Sequence, residues 1–412
     1  MRILIKEARI INPQSKHHNN RVDILIENNT IKTIADVIEE DADEVVTGND
    51  LHVSAGWFDL HAQFGDPGLE HREDLISGAK AAAKGGFTGV LLMPSTQPVI
   101  DNKGQVEYLL KKAQGLPTQI ELAGSLTTGC NGLDISEMYD MSLSGVKVFT
   151  DDKHPIDNPD VIKRALMYTK TFDGLVMVFP MESQIAHDGK MHEGVVSTKL
   201  GLKGLASLAE EIIVSRDLFL ADYAESRIHF SCISSKKSVE LIREAKAKGT
   251  QVTCDVSYLN LVYTDEALEG FDSNFKVNPP LRTEDDRQAL IAGLKDGTID
   301  AIVSDHTPLN VEEKDCEFDH AGFGVAGIET LYAELKTALA DELSEEELLQ
   351  FITVNPRNLL GLDHPVIDEG AKANLTVFDP FEEFTQGKLV SKSQNNPAIG
   401  KKLTGMVVKT VY

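Results

Sequence analysis

The chain has 412 residues, of which 42% are hydrophobic and 25% charged, a composition typical of a folded globular protein and not of a disordered one. Its 65 acidic residues outnumber its 40 basic ones and give a formal net charge of -25. Such a charge repels phosphate backbones and anionic lipid surfaces, so we expect no nucleic acid and no membrane as a partner. The four cysteines are widely spaced and no run of about 18 apolar residues occurs, which favours a soluble, cytoplasmic protein.

Short alternating runs of apolar and polar residues occupy both ends of the chain. Residues 2–55 contain "RILIKEARIIN" and "VDILIENNTI", and the segment after about residue 365 contains "AKANLTVFDP" and "KKLTGMVVKTVY". Alternation with a period of two predicts small antiparallel strands. We expect residues 1–55 and 365–412 to pair into one small β domain beside a domain formed by residues 56–364.

Between the two ends, apolar strand-like runs alternate with amphipathic helical stretches. The strand that leads into His61 is followed by seven such runs, which are "FTGVLLMP", "QIELAGS", "GVKVFT", "GLVMVFP", "RIHFSC", "TQVTCDV" and "DAIVSD". Eight strands with helices between them predict a parallel (β/α)8 TIM barrel. A doubly wound open sheet is the alternative for the same pattern.

In such barrels the functional groups lie at the carboxyl ends of the strands and in the loops after them. The residues expected there are His61, Gln63, Ser95, Ser125, Asp151, Pro180, Glu182, Cys232, Asp255 and Asp305. The stretch "GWFDLHAQFGDPG" reads like a strand that enters a metal site, because two histidines one residue apart at a strand end can bind one cation. Here the second position of that pair is Gln63.

The sequence resembles the dihydroorotases of the cyclic amidohydrolase superfamily over nearly its whole length. The similar blocks are, in order, "GWFDLHAQFGDPGLEHREDLISGAKAAAKGGFTGVLLMPSTQPVID", "KVNPPLRTEDDRQALIAGLKDGTIDAIVSDHTP", "GFGVAGIET", "TVNPRNLLGL" and "AKANLTVFDP". The resemblance implies an amidohydrolase-type barrel with a flanking β domain. It also implies zinc-dependent, reversible opening of dihydroorotate to carbamoyl aspartate in pyrimidine biosynthesis.

Within this resemblance, the metal positions depart from the family pattern. The residues that it assigns to metal binding are His61, Asp151, Cys232 and Asp305, with a carboxylated Lys147 as another bridging candidate. Asp305 would also be the catalytic acid or base, here vestigial. Gln63 and Pro180 stand where the family has histidines, and Cys232 stands at a third such position. Proline has no donor atom in its side chain, and an amide oxygen is a weaker zinc ligand than imidazole.

The substrate positions implied by the resemblance are altered as well. They are Gly65, where members have an arginine, Ser95, where they have an asparagine, and Asn278 of the "NPPLR" segment. An arginine binds a carboxylate through two charge-assisted hydrogen bonds, and glycine supplies neither of them. Leu309 occupies the position of a histidine after the last acid.

Three hypotheses follow. The leading one is a catalytically inactive dihydroorotase-like protein without a cofactor, which forms a homodimer and acts as a structural or regulatory partner of aspartate carbamoyltransferase. The alternative is an active hydrolase of dihydroorotate or another cyclic amide, with one zinc ion on His61, Cys232 and Asp305. Against that alternative, Cys232 could be a small buried apolar residue, and the other two could persist through hydrogen bonds alone. The third hypothesis is a small-molecule sensor that uses the old pocket.

Overall fold

The computed structural model describes residues 1–412. The strands are β1 Arg2–Ile11, β2 Arg21–Glu27, β3 Thr30–Ala35, β4 Glu44–Val46, β5 His52–Ala55, β6 Trp57–Ala62, β7 Phe87–Leu92, β8 Gln119–Gly124, β9 Val148–Phe149, β10 Leu175–Val178, β11 Met191–His192, β12 Gly204–Leu205, β13 Ile228–Phe230, β14 Val252–Ser257, β15 Ala301–Val303, β16 Leu375–Thr385 and β17 Lys402–Val411. The helices are α1 Leu75–Lys84, α2 Lys103–Lys112, α3 Met138–Ser142, α4 Pro159–Thr169, α5 Ser183–Ala186, α6 Val195–Leu200, α7 Leu208–Ala224, α8 Lys236–Ala247, α9 Tyr258–Val262, α10 Glu284–Lys295, α11 Val311–Lys314, α12 Leu331–Ala338, α13 Glu345–Ile352 and α14 Val354–Leu360. None of these helices is both long and apolar enough to cross a membrane.

Eight parallel strands form the barrel. They follow the chain order β6, β7, β8, β9, β10, β13, β14 and β15, and each pairs in parallel with the next. The sheet closes where the segment after β15 meets β6, because the Gln63 N–H donates to the His306 carbonyl at 2.9 Å and the His306 N–H donates to the His61 carbonyl at 3.3 Å. The predicted TIM barrel is thereby confirmed, and the doubly wound alternative is wrong.

Both ends of the chain contribute to a second sheet beside the barrel. Its seven strands run in the order β17, β16, β5, β1, β2 and β3, with β4 also paired to β1. This sheet is mixed and not purely antiparallel, since β1 pairs in parallel with β4 and β5. Its buried face is an aliphatic cluster that includes Ile5, Ile24, Val53 and Val377. Removing such side chains from water is the main force that holds the sheet together.

The side chains of the barrel strands alternate between two apolar layers. Leu91 of β7 and Val303 of β15 belong to the cluster that fills the barrel interior, whereas their neighbours Val90 and Ile302 belong to the larger cluster beneath the helices. The period of two in a strand sends successive side chains to opposite faces, so every barrel strand is buried on both sides. Apart from the buried His229–Asp255 pair, the candidate polar groups lie at the strand ends, and these ends form the candidate site.

Candidate metal centre at the carboxyl end of the barrel

Four strand ends meet at one buried polar centre. His61 lies at the end of β6, and Asp152 with Lys153, Cys232 and Asp305 follow β9, β13 and β15. Asp152, Cys232 and Asp305 have φ angles of 54°, 55° and 48°, in the left-handed region. Such backbone conformations cost about 1–3 kcal/mol each for residues other than glycine, and they persist where the surrounding structure fixes them. The chain turns sharply at these three strand ends as a result.

Both ring nitrogens of His61 are hydrogen-bonded. Nδ1 lies 2.9 Å from the Ser231 Oγ, and Nε2 lies 2.9 Å from an Asp152 carboxylate oxygen. The His61 and Asp152 side chains are 1% and 0% exposed. Burial alone would lower the pKa of His61, but the neighbouring Cys232 sulfur and the hydrogen bond to Asp152 raise it well above its usual value. The raised pKa favours the imidazolium form of His61, in which both nitrogens donate hydrogen bonds and neither offers a lone pair to a metal.

Asp152 is the main acceptor of this centre. Besides His61, the Gln63 Nε2 donates to its second oxygen at 2.5 Å, and the Ser95 hydroxyl donates to the same oxygen. Burial would raise the pKa of Asp152, but the hydrogen bond and charge of His61 lower it to about 2. Gln63 and Ser95 thus serve a carboxylate of the protein itself.

Lys153 forms the second ion pair of the centre. Its Nζ lies 2.9 Å from Asp305 Oδ1 and donates to the Asn278 carbonyl at 2.7 Å. Burial opposes its charge, but the Asp305 carboxylate raises the pKa of Lys153 above its usual value. His61 with Asp152 and Lys153 with Asp305 give two cations and two anions, so the centre is neutral.

Three of the predicted metal ligands do come together. His61, Cys232 and Asp305 each offer one ligand atom, and these atoms lie within 4.8 Å of one another. The Cys232 Sγ is 3.8 Å from His61 Nδ1, and Asp305 Oδ1 is 3.6 Å from His61 Nε2. Zinc binds a neutral imidazole and a thiolate. As arranged, the group offers an imidazole hydrogen-bonded at both nitrogens, a thiol whose pKa is raised by burial, and a carboxylate paired with Lys153, so a zinc ion would have to displace two protons and the Lys153 ammonium.

The other two predicted ligands lie apart from this group. Asp151 accepts from the Thr127 N–H at 2.8 Å and from the Thr127 hydroxyl. The Lys147 ammonium donates to the carbonyls of Leu360 and Gly361, at the end of α14, at 2.9 and 3.1 Å. Because adjacent side chains point in different directions, only one acid of the "TDD" stretch can face the centre, and it is Asp152.

Sequence reasoning missed Asp152, Lys153 and Ser231. Asp152 and Lys153 lie in the same "TDDK" stretch from which Asp151 was chosen. The sequence shows three charged residues in a row after β9, but it does not show which of them faces the site. Ser231 directly precedes Cys232 and had no distinguishing signal. Its hydroxyl lies 2.9 Å from His61 Nδ1 and thereby takes the nitrogen closest to the cysteine.

On the predicted substrate side there is very little space. A cavity of about 10 Å3 is bordered by Gln63, Gly65, Arg72 and Ser95 among others, which is room for about one water. Gly65 has a φ of +63°, and Arg72 is ion-paired with a glutamate and not free to replace the missing arginine. The Oδ1 of Asn278 is buried without a hydrogen-bond partner.

The remaining polar candidates are held by local contacts. Glu182 caps the N-terminus of α5, and Asp255 pairs with His229 at 2.9 Å inside the barrel. His187 is exposed. His192, in the same stretch of chain, is 7% exposed, and its Nδ1 lies 3.3 Å from the buried Arg282 guanidinium.

Comparison with solved structures supports the architecture. L-hydantoinase (dihydropyrimidinase) from Arthrobacter aurescens has a TM-score of 0.83 at 22% sequence identity, with 99% of this chain and 94% of that chain covered. Dihydropyrimidinase from Brevibacillus agri has a TM-score of 0.79 at 19% identity, covering 100% of this chain and 94% of the other. The chain thus shares the fold of these two proteins over nearly its whole length.

Sequence comparison gives the narrower assignment. Residues 52–238 match the Dihydro-orotase-like family model. Proteins named dihydroorotase from Geotalea daltonii and Geobacter metallireducens are 40% and 39% identical, over 100% of this chain and 98% of each relative. One from Acetivibrio thermocellus is 39% identical over 99% of this chain and 97% of its own length. The chain belongs to the dihydroorotase family, as the sequence motifs predict.

Proposed function

We propose that this chain is a non-catalytic member of the dihydroorotase family, which acts in pyrimidine biosynthesis as a structural or regulatory partner of aspartate carbamoyltransferase. One observation carries the proposal. His61 is the only retained residue of the family's histidine pair, and both of its nitrogens are already committed to Ser231 and Asp152. An imidazolium cannot bind a metal, so the water activation on which such hydrolases depend has no support at this position.

The arrangement of the other side chains argues in the same direction. Gln63 and Ser95 donate to Asp152, and Lys153 neutralises Asp305. Hydrogen bonds within the protein thus satisfy His61 and Asp152 without a ligand, while the buried Oδ1 atoms of Asp305 and Asn278 have no hydrogen-bond partner. We therefore expect the barrel to fold stably without a bound ligand, as a structural subunit must. The proposal also includes that the chain binds no cofactor and that it forms a homodimer.

A second candidate, a dihydroorotase or related cyclic amide hydrolase with one metal ion, is favoured by two findings. His61, Cys232 and Asp305 form a group of three possible ligands, and the relatives that match the whole chain are named dihydroorotase. The comparisons by themselves favour this candidate over inactivity. It requires that His61 and Cys232 each lose a proton and that Lys153 leave Asp305.

Metal content and ring opening of dihydroorotate, measured on the same purified sample, separate the two candidates. We expect less than about 0.1 equivalent of zinc and no turnover in either direction, with or without added zinc, manganese or cobalt. Turnover that rises with bound metal would establish the hydrolase instead. The Geotalea daltonii protein named dihydroorotase, purified and assayed in parallel, is the positive control.

The partner is tested separately. The chain is mixed with aspartate carbamoyltransferase from the same organism and analysed by light scattering after size exclusion. A joint species, or a changed carbamoyltransferase activity in the mixture, is the expected result. Two separate species with unaltered activity would reject the partnership while leaving the question of catalysis to the assay above.

A further inference from the structure

The Lys153 ammonium sits among the candidate metal ligands. Its Nζ is 2.9 Å from Asp305 Oδ1, donates to the Asn278 carbonyl at 2.7 Å, and lies 4.6 Å from the centroid of the Phe179 ring. These contacts come from three different segments of the barrel mouth. They hold the charge of a flexible side chain in one position, although lysine normally keeps its ammonium in water.

The position of the Lys153 ammonium matters because its partner, Asp305, is also one of the three possible metal ligands. The same Oδ1 lies 3.6 Å from His61 Nε2, and Asp305 with His61 and Cys232 makes up the group whose ligand atoms lie within 4.8 Å. A divalent cation on this group would lie within a few ångströms of the ammonium, in a buried region where charges are poorly screened. Lysine and metal ion therefore compete for one carboxylate.

We propose that Lys153 takes the place of the divalent cation as a built-in positive charge, and that removing this charge opens a metal site formed by His61, Cys232 and Asp305. The ligand would be a thiophilic divalent ion such as Zn²⁺ or Co²⁺, since the group contains a thiol and an imidazole. Binding displaces one proton from the Cys232 thiol and one from His61, whose freed nitrogen exchanges its hydrogen bond to Ser231 or Asp152 for the ion; both protons go to solvent, and no oxidation state changes. The inference rests on the proposed lack of catalysis and gives it a cause.

The test is titration of the purified protein with Co²⁺, whose bond to a thiolate gives a charge-transfer absorption. The variant is Lys153→Met, which keeps the length of the side chain and removes its charge. Lys147→Met is the matched control, because Lys147 belongs to the same segment of chain but bonds carbonyls at the end of α14. We expect less than about 0.1 equivalent of cobalt in the wild type and in Lys147→Met, and about one in Lys153→Met. Lys153→Met combined with Cys232→Ser should lose the thiolate absorption.

Two results overturn the inference. One is a Lys153→Met protein that melts cooperatively and binds no cobalt; the other is a wild-type chain that binds cobalt with the thiolate absorption. If Lys153→Met does not fold, Lys153→Gln retains an N–H donor for the Asn278 carbonyl and is titrated in its place, and the wild-type titration stands on its own. Dihydroorotate turnover by the wild type tests the proposed function, whereas cobalt binding tests this inference. Either proposal can therefore fail without the other.

Discussion

The Nε2 of His61 lies 2.9 Å from the carboxylate of Asp152, and this pair is the centre around which the carboxyl end of the barrel is organised. Gln63 and Ser95 donate to the same carboxylate, so residues that stand at ligand and substrate positions of the family are turned toward a side chain of this protein. A buried ion pair with further hydrogen bonds is costly to disrupt on one side only, because the remaining charge loses its partner.

Replacing Asp152 by asparagine should lower the pKa of His61 and destabilise the fold by about 3 kcal/mol, because a buried imidazolium would lose its counter-charge. The pKa is followed by NMR titration of the His61 ring, and the free energy of unfolding by urea denaturation. Asp151→Asn is the matched control, since Asp151 contacts Thr127 and not His61. An equal change in the His61 titration in both variants would contradict the assignment of Asp152.

Gly65→Ala should destabilise the chain by about 2–4 kcal/mol, and Gly65→Arg should not restore a carboxylate-binding site. A Cβ at Gly65 would lie 2.6 Å from the Leu69 carbonyl oxygen and 2.7 Å from that of Glu73. Gly115→Ala is the control, because Gly115 has a φ of +80° but open space around it, and should cost only about 1 kcal/mol. If urea denaturation gave similar losses in the free energy of unfolding for Gly65→Ala and Gly115→Ala, the close carbonyl contacts at Gly65 would not be the cause of the destabilisation.

Stability should fall below neutral pH partly because of His192. Burial and the nearby Arg282 guanidinium lower the pKa of His192 to about 4, against a usual value of 6.5, while Asp286 acts weakly in the opposite sense. Between these two values the unfolded chain binds a proton that the folded chain excludes, so the free energy of unfolding decreases as the pH falls, by at most about 2 kcal/mol at pH 5.

His192→Gln should remove this part of the pH dependence. Urea denaturation at about pH 7.5 and about pH 5 should therefore show the variant gaining about 1–2 kcal/mol relative to the wild type at the lower pH. His187→Gln, in the same loop but exposed, should show no such gain. A constant difference between His192→Gln and the wild type across this range would mean that His192 is protonated in the folded state as readily as in the unfolded one.

Chelation should leave the wild-type protein unchanged. If the two ion pairs satisfy the centre without a metal, then EDTA should shift the melting temperature by less than about 1 °C, because no bound ligand is withdrawn from the folded state. The measurement is a calorimetric melt before and after dialysis against EDTA, with the metal content determined on both samples. A fall of about 5 °C or more together with loss of zinc would instead indicate a structural or catalytic ion.

The barrel was predictable because its signals are local. Each of the eight strand-like runs carries its own pattern of apolar residues, and the ends of those runs fix which residues lie at the carboxyl end of the barrel. His61, Cys232 and Asp305 were found in this way, and the structure brings them together. The mixed pairing of β1 was not predicted, since strand direction within a sheet depends on partners that are distant in the sequence.

The sequence alone determined the family, the barrel and the strand ends, together with the departures at Gln63, Gly65 and Pro180. Only the tertiary structure decided that Asp152 and not its neighbour faces His61, and that the Lys153 ammonium reaches Asp305. The reason is physical: the direction of a side chain just beyond a strand depends on the backbone angle there, and Asp152 takes a left-handed angle that only the packed surroundings maintain.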